Sequence, residues 1–218
     1  MAKVAVILSG CGVFDGAEIH ESVLTLLALA RLGQPYECLA PNKDQMHVIN
    51  HLTRQPTGEK RNVLVESARI ARGEIKDLAA VRAADYAAAI LPGGFGAAKN
   101  LCDYATAHAQ CHVDAAVSGF LKELHAAGKP IGAICIAPVI VARLLGHEHP
   151  QLTIGTDPGT ASHLKDMGAE HVACGVDQIV VDGKHRIVTT PAYMLAHSIV
   201  EAAAGIERLV GEIVRMIR

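Results

Sequence analysis

Apolar runs of strand length alternate with longer amphipathic segments from one end of the chain to the other. Residues 4–8 (VAVIL) form an unbroken apolar run, the pattern of a strand buried on both faces of a sheet. After a glycine-rich turn, residues 18–32 carry helical spacing, with Val23, Leu26, Leu27 and Ala30 on one face and Gly33 as a C-terminal stop. A strand follows over 36–40, then an irregular stretch over 41–60 and a helix near 62–72. Residues 86–91 read as another strand, ending in PGGFGAAKNL. A helix near 113–127 leads into PIGAICIAPVIVARLL, which begins as a buried strand and ends as an apolar helix. Residues 178–181 and 187–190 flank DGKH as a hairpin-like pair, and AYMLAHSIVEAA and IERLVGEIVRMI read as two closing helices. Strands alternating with helices predict an α/β fold built on a doubly wound, mostly parallel sheet. No repeat, low-complexity segment or charged linker interrupts the pattern, so residues 1–218 are expected to form a single domain.

Composition narrows the function classes. Half the residues are hydrophobic and 19% are charged, ordinary for a packed domain. A net charge of −2, with 3% aromatic residues and no Trp, offers neither the basic surface nor the stacking platforms that nucleic acids require. No apolar run approaches the ~20 residues of a membrane span. The N-terminal MAKVAVILSGCG lacks the longer apolar region and cleavage pattern of a signal peptide. A cytoplasmic protein with no nucleic-acid or membrane partner is expected. Six cysteines are scattered without a CxxC pair, which favours reduced thiols over a disulfide framework.

In doubly wound sheets, ligands sit beyond the carboxyl ends of the strands. Three loops stand out there: SGCGVFDGAEIHE, LPGGFGAAKNL and AICIAP. The first has the spacing G-x-G-x-x-x-G, and CLAPN closes the second strand where an acidic residue is required, so a dinucleotide site is not expected. In the third, Cys135 lies between strand and helix, where amides and the helix dipole favour a thiolate and a strained turn can lift the side chain out of the sheet. Gly93 and Gly94 allow backbone N–H groups to approach a substrate oxygen. Glu18 and Glu21, three apart at a helix start, share a face, a spacing that also suits complementation of the helix dipole. His108, Cys111 and His112 have the spacing of a metal clip, although a solvated helix end explains them without a metal.

VILSGCGVFDGAEIHE, VINHLT, ARGEI, LPGGFGAAKNL, CIAP, LTIGTD, MGAEH and VTTPAYMLA occur in this order between residues 6 and 196. This ordered set resembles the class I glutamine-amidotransferase-like superfamily, in its branch of PfpI-type proteases, deglycases and glutathione-independent glyoxalases. The resemblance implies a flavodoxin-like sheet, Cys135 as nucleophile, Glu21 in contact with its thiolate, and the amides of Gly94 and Ile136 as oxyanion donors. An ionised Glu21 would repel the thiolate, so its carboxyl is expected to keep its proton, the two titrating as one unit. Two departures stand out. Ile136 occupies the position where protease-like relatives place a histidine, and residues 133–137 replace the Gly-x-Cys-x-Gly of glutaminases. Peptidase and glutaminase activities are therefore not expected. Glu18 and His20 are secondary site candidates, His20 pointing off the glutamate face.

The resemblance further implies conversion of a small 2-oxoaldehyde, glyoxal above all, to glycolate through a hemithioacetal, an enediol and a thioester. Glutathione, metal and redox cofactor are not required by that route. A small aldehyde is the expected partner, along with a second copy of the chain, since homodimers are usual among such relatives. The competing expectation is a non-enzymatic redox or binding module in which Cys135 oxidises.

Overall fold

The computed structural model describes residues 3–218. Among these, seven strands share one sheet: β1 (Lys3–Ile7), β2 (Tyr36–Ala40), β3 (Ile75–Asp77), β4 (Tyr86–Leu91), β5 (Ile131–Ile134), β6 (Val180–Asp182) and β7 (Ile187–Thr190). The order is β6-β7-β5-β4-β1-β2-β3, parallel throughout except for the antiparallel β6–β7 pair. β1, β4 and β5 run through the middle of the sheet, which is why they read as continuous apolar runs.

Helices cover both faces. They are α1 (Ile19–Arg31), α2 (Val63–Ile70), α3 (Phe95–Lys99), α4 (Tyr104–Ala107), α5 (Ala115–Ala126), α6 (Pro138–Leu145), α7 (Pro158–Asp166) and α8 (Ile199–Ile217). Successive side chains of a strand point to opposite faces, and residues 4–8 divide accordingly. Val4, Val6 and Leu8 pack in a layer with Leu29 of α1 and Ile206, Leu209, Val210 and Ile213 of α8. Ala5 and Ile7 pack in the other layer with Leu121 and Leu124 of α5 and Val139 and Ile140 of α6. Each fully buried Leu or Ile stabilises the fold by roughly 1.5–3 kcal/mol.

The structure corrects several sequence expectations. On α1, Val23 and Leu27 are 48% and 40% exposed, whereas Glu21, Ser22, Thr25 and Leu29 are buried. The hydroxyls of Ser22 and Thr25 donate to the carbonyls of Glu18 and Glu21, each at 2.7 Å, so this polar face enters the interior satisfied. The two closing helices are one: Ala192–Met194 is a single 3-10 turn, and α8 runs unbroken from Ile199, capped by the Ser198 hydroxyl. Strand β3, short and half-exposed at the sheet edge, carried no apolar run. Helix α7 has only Leu164 buried, too little for a periodic signal. The hairpin expected around DGKH is present, and Asp182 accepts the amide of His185 at 2.9 Å and bonds its Nδ1 at 2.7 Å.

Candidate active site

Cys135 follows the last residue of β5 and lies at φ +61°, in the left-handed region that a side chain rarely adopts. Such a conformation costs roughly 1–2 kcal/mol and persists where its surroundings over-determine it. Here the Cys135 amide donates to the Thr190 carbonyl of β7 at 2.9 Å, and the Ala137 amide closes a tight turn on Ile134 at 3.0 Å. Pro138 then opens α6 at a position where no N–H is needed. The expected strand-to-helix elbow is present. It sets the thiol beyond the carboxyl end of the sheet, 8% exposed, with the N–H groups of Gly94 and Ile136 directed at its sulfur.

Glu21 comes to the same point from α1. Its side chain is fully buried and bonds the Cys135 thiol. Oε2 accepts the Gly93 amide at 2.8 Å, and Oε1 accepts the Tyr193 amide at 3.2 Å. Burial pushes this carboxyl up to about 8, helped by the charge of Glu18 and opposed by the amides of Tyr193 and Gly93 and by Cys135. The carboxyl therefore keeps its proton at neutral pH, as expected. Burial also drives the Cys135 thiol well above its ordinary range, and an ionised Glu21 drives it further, against the pull of the two amides. The expectation that helix amides favour a thiolate thus holds for the geometry and fails for the balance: desolvating the sulfur outweighs two amide dipoles.

Glu18 takes the dipole role that its spacing left open between the two glutamates. It precedes α1 as its N-cap, and its Oε2 accepts the Glu21 amide at 2.7 Å. The glycines of PGG are required by contact. A Cβ at Gly93 would lie 2.5 Å from the Cys135 Cβ and 2.7 Å from Glu21 Oε2. Gly94, at φ +91°, lies so close to the chain that a Cβ would sit 2.4 Å from the Glu18 nitrogen. The loops before α1 and α3 pack backbone against backbone, and this brings the Gly94 amide to the sulfur.

A model of the DJ-1/PfpI family matches residues 4–200. The chain belongs to the DJ-1/PfpI family. It is 48% identical to a human protein, glutamine amidotransferase-like class 1 domain-containing protein 3, mitochondrial, over 99% of this chain and 83% of that one. A crystal structure of an isoprenoid biosynthesis protein with an amidotransferase-like domain from Ehrlichia chaffeensis is 37% identical, with a TM-score of 0.90 over 98% of this chain and 99% of that one. A 24 kDa rapid encystment protein from Francisella tularensis, 12% identical with a TM-score of 0.65, shares the fold alone. The sheet is thus the flavodoxin-like one of class I glutamine amidotransferases. No described helix is long and apolar enough to cross a membrane.

Within this DJ-1/PfpI framework, Cys135 opens into a cavity of about 700 Å³, with Glu21 buried behind it. Its lining includes Glu18, Phe95, Tyr104, Ile136, His163 and Tyr193. Tyr104 and His163 were not found from sequence, because α4 and α7 are short and come together only in the tertiary structure. Tyr193 lies inside VTTPAYMLA and was legible as a position without a role. His20 does not line the cavity; its Nδ1 bonds the Tyr193 hydroxyl at 2.7 Å. The metal clip does not form. Cys111 is buried against Cys102, His112 is exposed beside Asp103, and His108 stacks on His163. Among the described residues, no group of three or more His, Cys, Asp or Glu side chains is arranged to hold a metal ion. Another concavity, of about 620 Å³, lies at the amino end of the sheet, but Lys3, Lys76 and Glu37 fill it with ion pairs and no nucleophile faces it.

Proposed function

We propose that this protein is a glutathione-independent glyoxalase of the isoprenoid-biosynthesis (ElbB) type, converting 2-oxoaldehydes, glyoxal the smallest, to 2-hydroxy acids. The observation that supports this most is the buried Glu21 carboxyl bonded to the Cys135 thiol, with the Gly94 and Ile136 amides on the sulfur. After the pair loses one proton, the reacting form is a thiolate beside a carboxylic acid, reached when the Glu21 carboxylate takes the thiol proton. The thiolate bonds to the aldehyde carbon, and the carbonyl electron pair moves to an oxygen that the amides stabilise and Glu21 protonates. Glu21, now a carboxylate, takes the hydrogen of that carbon as a proton. The enediolate that results takes that proton back from Glu21 at the neighbouring carbon while the hydroxyl of the first carbon passes its proton to the neighbouring oxygen, leaving a thioester, and water releases glycolate. One carbon is oxidised while its neighbour is reduced, so the sequence is closed without glutathione, metal or redox cofactor.

Pure protein incubated with glyoxal alone tests this. Glycolate from the native chain and none from Cys135→Ala is the expected result. Equal, slow aldehyde loss in both would favour a non-enzymatic redox or binding module, the reading that Ile136 in place of histidine supports.

Residues 1–218 act as one unit in this reading, in a homodimer and in the cytoplasm. Ile19, Val23 and Leu27 form an exposed apolar stripe along α1, and Ile199 and Val200 of the adjacent α8 are also exposed, which supports a second copy as partner. The six free cysteines support a reducing compartment. "Mitochondrial" in the human relative's name describes that protein.

A further inference from the structure

A two-carbon aldehyde fills little of a 700 Å³ cavity, a volume in the range that takes drug-sized ligands. The walls next to the reacting sulfur are apolar. Ile136 follows Cys135, and Phe95 follows Gly94, its ring 50% exposed in an otherwise buried stretch. Lys99 Nζ lies 5.4 Å from the centroid of this ring and Phe14 flanks it at 6.5 Å, and the part left exposed is a large aromatic surface in the same cavity as the nucleophile. A second flat surface lines the same cavity. The His163 ring is held by the Tyr104 hydroxyl at 2.8 Å and stacks on His108, with centroids 5.1 Å apart and planes 30° apart.

The charged groups of the lining are already engaged within the protein. Lys99 Nζ donates to the Phe14 carbonyl at 2.9 Å, Glu18 accepts the Glu21 amide at 2.7 Å, and Asp157 caps α7 by accepting the Thr160 amide at 2.8 Å. A phosphorylated or sugar-like body would lose its hydration with little in exchange, whereas a ring gains by covering Phe95.

We propose that the preferred substrate is a 2-oxoaldehyde carried on an apolar, ring-sized body, with Phe95 as its specificity-determining contact. This rests on the glyoxalase reading of Cys135 and Glu21 and names the substrate class of that same site. For an aryl 2-oxoaldehyde the balance is unchanged: the aldehyde carbon becomes the acid, its neighbour the secondary alcohol, and one water is consumed.

The test compares phenylglyoxal with glyoxal in the native protein, Phe95→Ala and Phe95→Leu. The expected native ratio of kcat/KM is at least about tenfold in favour of phenylglyoxal, carried by KM, the order expected for burying a ring. Phe95→Ala should lower that ratio about tenfold, and Phe95→Leu should restore part of it. Turnover of glyoxal with an equal or lower kcat/KM for phenylglyoxal, or a ratio unmoved by Phe95→Ala, overturns the proposal. Protection of Cys135 from iodoacetamide reads the cavity without turnover. 2-Hydroxyacetophenone should protect at least tenfold more strongly than hydroxyacetone, and equal protection overturns the proposal even if no aldehyde is converted, an outcome that by itself would sink only the glyoxalase reading.

Discussion

Glu21 meets Cys135 with both carboxyl oxygens already accepting backbone amides, Oε2 from Gly93 and Oε1 from Tyr193. The carboxyl thus ties α1 to the PGG loop and to the segment after β7, while the thiol bonds the same group. A glutamate that merely complemented a helix dipole would make neither connection.

Glu21→Gln separates the two roles. An amide side chain has one acceptor oxygen, so either the Gly93 or the Tyr193 N–H faces an NH₂ and is left unsatisfied. At pH 5 the substitution should lower stability by about 1–3 kcal/mol, beyond the few tenths to ~1 of a dipole effect. Glycolate formation should be abolished, because Gln cannot shuttle the proton. Urea denaturation together with product analysis checks both, and near-native turnover would remove Glu21 as the base.

The pH dependence of stability follows from the same carboxyl. Its folded value of about 8 lies above its ordinary 4.5, so the folded state holds a proton that the unfolded chain releases between these values. The Glu21 contribution is therefore fully present below 4.5 and is lost as pH rises through about 8, with a slope of at most about 1.4 kcal/mol per pH unit. Unfolding midpoints between pH 5 and 8 should fall more steeply for the native chain than for Glu21→Gln.

Reactivity runs the opposite way. Burial holds the thiol well above its ordinary range and an ionised Glu21 holds it higher, so alkylation of Cys135 by iodoacetamide and kcat/KM should both still be rising above about pH 8, where Glu21 itself loses its proton. Peptide mapping above that pH should show Cys135 labelled ahead of Cys38, Cys102 and Cys111, which are buried and do not line the cavity. Glu18→Gln removes a charge that raises Glu21, and should move the rise to lower pH.

Gly93→Ala should cost at least about 100-fold in turnover. Its Cβ would meet Cys135 and Glu21 closer than atoms can approach, and displacing a reacting group by about 1 Å has that effect. Alkylation of Cys135 in the folded variant distinguishes a displaced pair from an unfolded chain.

Leu27→Glu places a charge on the α1 stripe. Sedimentation should show a homodimer for the native chain and a monomer for the variant. A native monomer would remove the second copy as a partner.

Where one residue's surroundings are set by its near neighbours, the sequence was enough. Residues 4–8 are apolar at every position because both faces of a central strand are covered. Cys135 could be placed at an elbow because a buried run, a thiol and Pro138 follow one another. Tertiary contact decided the rest. The buried face of α1 is polar because Glu21 must reach the sulfur, and Ser22 and Thr25 satisfy themselves on helix carbonyls, so hydropathy pointed to Val23 and Leu27 instead. β3 and α7 bury too few side chains to mark themselves. Tyr104, Cys135 and His163 share a cavity only because α4, β5 and α7 converge beyond the sheet. The titration of the pair likewise depends on how completely the fold excludes water from Glu21 and Cys135, and burial is a property of the packed chain, not of any residue type.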